Sequence, residues 1–567
     1  MVTLQRFRAY FRQYRLWWIG LTIFALTVLL VNPVRETAME DDWAYALIVK
    51  HLLETGHYQL HDWGSANLPF QAYWGALFAS IGGYSHSSLR ISTLTLTLLG
   101  LIAFYHLARE HSLNLTQSGL LTLGMFASPL ILRFSFNFMT DVPFLSCLII
   151  AIFLYTRAIR LYNYPLMLLA SIAASAAILT RQFGVALVAG VFCLWALNRE
   201  CRQHTRFFLS GMVLPILAGV WQLYAGLLTP NLGAQFNKHI QSIYLGNAGN
   251  LVTNVLWRPT VILQYLALFC IPFIALALLD LTFELKQDLS NPLKRKFFKA
   301  KVVRLGLLAV YILSGIIYGR FVFRYPWLMP YLPWNFEIFS NTYGWRGLLI
   351  RGTLTLLTSL GGVLLARILI LRYFGNQGGT REVPSRQILD LVTLFLLIGI
   401  FLYSGLGDEY LIVLLPFTLI VLGRHLKKWL NRFSRATTIA CMIILLASAL
   451  WTRSLLASSE AFWQGGEYLR SRGIQTNQIY TSWTWVCYYR FQDYVAEIGE
   501  QKLVSSLTTD LFAQWLPEQQ KKSPFWVTDS LNKPADEKWQ VLKEIPYRDI
   551  RFREQRVYVV KKERESK

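Results

Sequence analysis

The chain is 567 residues long, 54% hydrophobic and only 15% charged, with a mean hydropathy of +0.38. A soluble globular protein and a disordered chain are both excluded, because apolar runs of about 18–22 residues, each long enough to cross a bilayer, recur along most of its length. The net charge of +23 would suggest nucleic acid on a soluble protein, but here the basic residues fall between apolar runs, which points to the anionic inner face of a membrane.

In chain order, Arg6, Arg8, Arg12 and Arg15 precede an apolar stretch over 16–31. That stretch is long, and no Ala-x-Ala-like cleavage site follows it, so it is predicted to be a retained first helix. Further spans are predicted at 89–108, 119–136, 143–156, 165–179, 184–197, 207–228, 260–279, 305–323, 347–370, 388–403, 410–422 and 437–451, about thirteen in all. The expected fold class is an all-α polytopic membrane protein with a small extracytoplasmic α/β domain at its C-terminal end. With the N-terminus inside, the inner loops carry Arg157 and Arg160; Arg199, Arg202 and Arg206; Lys286 and the 294–304 cluster; Arg381 and Arg386; and Arg424, Lys427, Lys428, Arg432 and Arg435. All are basic, as positive-inside ordering requires of a multi-pass protein of the plasma (inner) membrane.

The outside then receives loops 32–88, 229–259 and 324–346 and the tail 453–567. Within the first, 43–53 and 69–81 are predicted to be helices lying in the membrane interface. Loop 229–259, with Gly233, Gly246 and Gly249, is long enough to serve as a lid. The division is a transmembrane catalytic part, 1–452, and a soluble α/β part, 453–567, with a helix near 460–472 and strands near 478–482 and 556–560. Six cysteines without a Cys-x-x-Cys spacing are expected to be free thiols.

Charge is costly at membrane depth, so its placement is informative. The span centres are mostly clean, and acids gather at the outer ends: Glu40, Asp41 and Asp42 after the first helix, Asp141 after the third, and Asp408 with Glu409 between two late helices. Basic residues also reach the outer side at Arg181, Lys238, Arg258, Arg320, Arg324, Arg346 and Arg351. Some serve as snorkelling anchors; as a group they suit a phosphate, which guanidinium forks bind bidentately. Outer carboxylates with outer arginines point to a reacting hydroxyl and a phosphate leaving group at the membrane surface, as in glycosyl or phosphoryl transfer from a lipid-linked donor. The alternative is a transporter or flippase for lipid-linked glycans, in which the same charges line a path; the clean span centres disfavour it. Asp41 is the first choice for general base, and Asp141 would orient the acceptor or share the base's hydrogen bonds. His57, His61 and His239 could bind metal, although Gly56 interrupts the helix that would align the first two.

Several segments carry a family resemblance. Asp41-Asp-Trp-Ala-Tyr45, followed by Leu52, Leu53 and Gly56, resembles the first outer loop of GT-C glycosyltransferases. Leu68-Pro-Phe-Gln-Ala-Tyr-Trp74, Ser88-Leu-Arg-Ile91, Thr140-Asp-Val-Pro143, Thr180-Arg181, Lys238-His-Ile-Gln241 and Tyr410-Leu-Ile-Val-Leu-Leu-Pro416 resemble successive segments of the bacterial aminoarabinose-to-lipid A transferases and the protein O-mannosyltransferase-like group. The resemblance implies a GT-C fold and inverting transfer of a sugar, hexosyl or pentosyl, from a polyprenyl-monophosphate donor on the outer leaflet. The acceptor would be a lipid, a glycan or a protein. It implies substrate contacts at Asp42, Tyr45 and His239 beside the catalytic Asp41 and Asp141; the donor phosphate is expected at Arg181, Arg320 and Arg324, because basic groups that relatives could use on phosphate are missing here. A divalent metal ion is left open, with Asp41, Asp141 and His239 as the residues that would hold it. The chain departs from the pattern at Leu68 and Glu409, where relatives carry a basic residue, and at Asn67, where the aminoarabinose enzymes carry an acid.

Overall fold

The computed structural model describes residues 15–64, 66–228, 231–233, 235, 238, 242, 246, 248–290, 301–310, 344–374, 383–403, 407–499, 508–531 and 538–563. Its helices are α1 (Arg15–Val31), α2 (Asp42–Thr55), α3 (Pro69–Gly82), α4 (His86–Glu110), α5 (Leu115–Ala127), α6 (Pro129–Ser135), α7 (Asp141–Leu161), α8 (Tyr164–Ile178), α9 (Val185–Leu197), α10 (Thr205–Leu228), α11 (Ala248–Phe269) and α12 (Ile271–Ser290). They continue with α13 (Gly344–Phe374), α14 (Pro384–Leu402), α15 (Leu415–His425), α16 (Ser434–Ser471), α17 (Trp483–Ile498) and α18 (Thr508–Lys522); shorter pieces stay unlabelled.

Local chemistry sets several of these ends. α2 stops at Gly56, whose φ of 74° is open to glycine at little cost. Ser85 caps α4 by accepting the Ser88 N–H, and Asn114 with Gln117 forms a reciprocal capping box on α5. α3, α6 and α14 each open on a proline, which lacks the N–H that a first turn cannot use.

Among the described residues, six helices are long and apolar enough to cross a membrane, or eight if each of two bent pairs counts as one span, which makes this a multi-pass membrane protein. The described residues do not confirm the expected count of about thirteen. The run at 119–136 is broken by 68° between α5 and α6, where Pro129 cannot continue the ladder of α5. The run at 260–279 is bent by 101° at Cys270, just before Pro272. The apolar parts of α1, α8 and α9 are present but shorter than the six, most of 305–323 lies outside the described residues, and 410–422 opens as a 3-10 turn, Asp408–Leu414, before α15. Loop 229–259 is also shorter than expected, because α11 already begins at Ala248.

α7 is central, packed against α4, α8 and α14. Glycine permits its closest approach to α4: a Cβ on Gly100 would stand 2.9 Å from the Ser146 Cα. The helix α16 runs unbroken for 38 residues through the expected boundary at 452 and carries the chain into a four-stranded sheet. β1 (Ile479–Tyr480), β2 (Phe525–Thr528), β3 (Lys538–Arg548) and β4 (Glu554–Glu563) lie in the order β1-β2-β4-β3, with β1 and β2 parallel and the other pairs antiparallel. The core of this sheet domain takes in Ala38, Trp43 and Ala44 from the segment after α1, so the tail and α2 form one packed body.

Candidate active site

Three consecutive carboxyls at the start of α2 go to three different partners. Glu40 has a left-handed φ of 56°, uncommon for a residue with a Cβ. Its carboxylate pairs with Arg133 of α6 and accepts from Asn137 Nδ2 at 3.3 Å. Asp41 accepts the indole N–H of Trp63 at 2.9 Å. Asp42 accepts the backbone N–H groups of Met39 at 2.6 Å and Phe138 at 3.2 Å, one on each oxygen. Asp42 is therefore buried and occupied in tying the 39–42 turn to the segment before α7. The two oxygens it was expected to offer to substrate both accept backbone N–H groups.

Asp141 is the first residue of α7 and is fully buried. Arg181 crosses from the extended connection after α8, placing Nη2 at 3.0 Å from Asp141 Oδ1 and donating from Nε to Thr140 Oγ1 at 2.6 Å. The guanidinium also lies over the Tyr410 ring, 4.9 Å from its centroid, and the Tyr410 hydroxyl donates to that of Tyr403 at 3.3 Å. Asp408 and Glu409 are buried at the start of the 3-10 turn.

These groups stand near enough for their charges to act on one another. Burial raises the Asp41 carboxyl from 3.8 to about 6; the Trp63 N–H opposes the rise and the charge of Asp141 adds to it. Burial likewise raises Glu40 above the usual carboxylate range, with Arg133 pulling it down and Asp41 and Asp141 pushing it up. Glu409 is raised well above its ordinary value by burial and then by Asp141 and Asp408. The Tyr45 hydroxyl is raised by burial, and it feels Asp41, Arg181 and Asp141. Asp41, Asp141, Tyr45 and Arg181, expected from sequence to cooperate, are thus together, with Glu40, Glu409 and Tyr410 around them. His239, Arg320 and Arg324 lie outside the described residues.

Three functional neighbours were not picked out from the sequence. Arg133, which holds Glu40, had a signal: a single arginine in an otherwise apolar run. Trp63 had none, since its approach to Asp41 depends on the 57–64 turn being pinned from outside. Asn231 Nδ2 donates to the His61 carbonyl at 2.9 Å, the Gly233 N–H donates to the Asp62 carbonyl at 2.8 Å, and Trp63 rests against Phe491 of α17, with centroids 5.8 Å apart. Phe491 itself is invisible to any local reading. Arg258, expected among the outer arginines suited to phosphate, instead caps the end of α14, donating to the carbonyls of Ile400, Phe401 and Tyr403 at 2.9, 2.9 and 2.6 Å.

For a metal ion the described residues do not offer a ligand set. No three His, Cys, Asp or Glu among them converge, and Glu40, Asp41 and Asp141 each already face Arg133, Trp63 and Arg181. His61 packs edge-on against Trp43, ring centroids 5.2 Å apart, and burial lowers it to about 4, so it stays neutral near pH 7.

Residues 67–222 match the family model described as dolichyl-phosphate-mannose-protein mannosyltransferase, which bears out the GT-C resemblance over that stretch. No curated protein matches the chain. Among solved structures, the chain is similar to ArnT from Cupriavidus metallidurans bound to undecaprenyl phosphate, at 14% identity over 96% of this chain and 98% of that one, with a TM-score of 0.45. It is also similar to the Archaeoglobus fulgidus oligosaccharyltransferase tethered to an acceptor peptide, at 12% identity over 92% and 70%, with a TM-score of 0.43.

Proposed function

We propose that this protein is an inverting membrane glycosyltransferase that moves a sugar from a polyprenyl-monophosphate donor to a hydroxyl of a lipid, glycan or protein acceptor on the outer face of the membrane. The observation that carries this reading is the cluster of Asp41, Asp141 and Arg181, in which Arg181 pairs with Asp141 at 3.0 Å and the charge of Asp141 acts on Asp41. The matched family model over 67–222 supports the reaction class.

Asp41 is the base. With its carboxyl at about 6, it is mostly ionised near pH 7 and still basic enough to take a hydroxyl proton. As the acceptor oxygen bonds to the anomeric carbon, its proton passes to Asp41; the bond from that carbon to the donor phosphate oxygen breaks, and the electron pair leaves on the phosphate. Arg181 serves the leaving phosphate. A guanidinium has five N–H donors, more than Thr140 and Asp141 engage, and Asp141 fixes its orientation. Tyr45 and Glu409 stand beside Asp141 and Arg181, and burial raises the proton affinity of Glu409.

The transporter alternative needs charges strung through the spans. The acids of this site instead sit where helices begin, at the starts of α2, α7 and the 408–414 turn. The test uses purified protein in nanodiscs with polyprenyl-phosphate-linked sugars. Transfer should be lost in both Asp41→Asn and Asp141→Asn; undiminished transfer by both would end the assignment.

A further inference from the structure

A second cavity, about 600 Å³ in volume, opens between the turn before α4, the last turns of α16, the start of α17 and β3. None of Asp41, Asp141, Arg181 or Glu409 lines it. Its volume lies within the ~300–1,000 Å³ of ligand-sized pockets.

The walls are aromatic. Trp463 is buried, and the half-buried rings of Tyr84, Tyr468, Tyr488 and Tyr489 stand around it. Trp463 and Tyr488 meet edge-on with centroids 5.5 Å apart, and Tyr488 meets Tyr489 at 4.9 Å. Between the rings stand groups that both donate and accept. Gln464, Tyr468 and Ser471 recur at a spacing that puts them on one face of α16, and the Tyr84 and Tyr488 hydroxyls lie 3.3 Å apart.

The lining acids are already committed. Glu36 accepts the His86 and Ser87 N–H groups at 3.0 and 3.2 Å, at the start of α4. Glu467 accepts the Trp485 indole N–H at 2.9 Å and pairs with Arg470 at 2.6 Å. Lys543 sits 4.5 Å over the Tyr468 ring. With both lining acids engaged by their own partners and Lys543 beside them, the cleft offers no free carboxylate to select a cation.

We propose that this cleft is a binding site for a neutral oligosaccharide, separate from the cluster of Asp41, Asp141 and Arg181. The C–H face of a pyranose is apolar and packs on aromatic rings, while its hydroxyls need amide and hydroxyl partners that donate and accept. An acyl chain would strand those polar groups, and a cation would meet Lys543 and two acids already engaged.

The experiment is saturation-transfer-difference NMR on the full-length protein in nanodiscs free of sugar-headed detergent. The probes are trisaccharides of glucose, mannose, galactose and N-acetylglucosamine. Saturation of the ring protons of at least one trisaccharide is expected, falling by ~5-fold or more in Tyr468→Ala and in Gln464→Ala. Gln464 is exposed, so its variant should melt with the parent and keep the readout free of unfolding. The proposal is overturned if no trisaccharide shows transfer, or if both variants leave the signal unchanged. It is also overturned if Asp41→Asn abolishes the signal while Gln464→Ala keeps it, since the sugar would then sit at Asp41.

Discussion

Replacing Asp41 by asparagine separates the charge of this side chain from its shape. An amide oxygen there still accepts the Trp63 indole N–H, so the 61–64 turn keeps its hold. The proton acceptor is gone, and transfer should fall by ~10²–10⁴-fold. Stability should move the other way. The Asp41 carboxyl stands at about 6 in the fold against 3.8 for the ordinary group, chiefly because it is buried. At ~1.4 kcal/mol per factor of ten in proton affinity, keeping it ionised costs the folded state no more than about 3 kcal/mol. Asp41 is only half-buried, and solvent screens part of this, leaving about 1–2 kcal/mol. The folded protein holds this proton more tightly than the unfolded chain does. The penalty is therefore absent at pH values below the ordinary carboxylate pKa, grows as pH rises and is complete above about pH 6. Melting in nanodiscs should place Asp41→Asn ~1–4 °C above the parent at pH 8 and level with it at pH 4. Full transfer activity, or equal stabilisation at both pH values, would refute the reasoning.

Three further outcomes follow from the same geometry. Trp63→Phe removes the N–H that lowers the Asp41 pKa, so the acid limb of the pH–rate profile should move above its parental midpoint; Asp141→Asn removes a charge that raises that pKa, and the limb of any residual activity should move the opposite way. Arg181→Lys keeps a positive charge but cannot engage Thr140 and Asp141 with one planar fork, and the donor KM in steady-state kinetics should rise by ~10-fold or more. Gly100→Ala forces a Cβ against Ser146 and should cost about 1–3 kcal/mol, read as a lower melting temperature. Alanine at Gly119, where a Cβ meets nothing within 4 Å, is the control and should not destabilise.

Much of the site was legible because charge in an apolar chain is conspicuous. Asp41 and Asp141 stand out as acids at the mouths of apolar runs, and the charge of Asp141 acts on Asp41. Arg133 was legible on the same principle and was passed over, as were Pro129 and Pro272, which mark where two predicted spans bend. Arg258 looked like a phosphate ligand because sequence shows only that a cation lies near a helix end. That it faces three orphaned carbonyls of α14 depends on a packing partner 142 residues away at Ile400. Asp42 shows the same dependence on distant partners: both its oxygens accept backbone N–H groups, one of them on Phe138.

Hydrophobic periodicity and the cost of burying charge, both readable along the chain, determined a multi-pass helical protein with acids clustered at helix starts and a small sheet domain at the end. Local capping and turn residues set where α2, α4 and α5 begin or stop. What each charged group faces was decided only by tertiary structure, because a carboxylate's partner and pKa depend on neighbours brought in from distant segments. Trp63 reaches Asp41 only because Asn231, Gly233 and Phe491 hold its turn, and Arg181 turns toward Asp141 only because α7 and α8 pack side by side. Each of those contacts joins residues whose own surroundings in sequence carry no trace of the other.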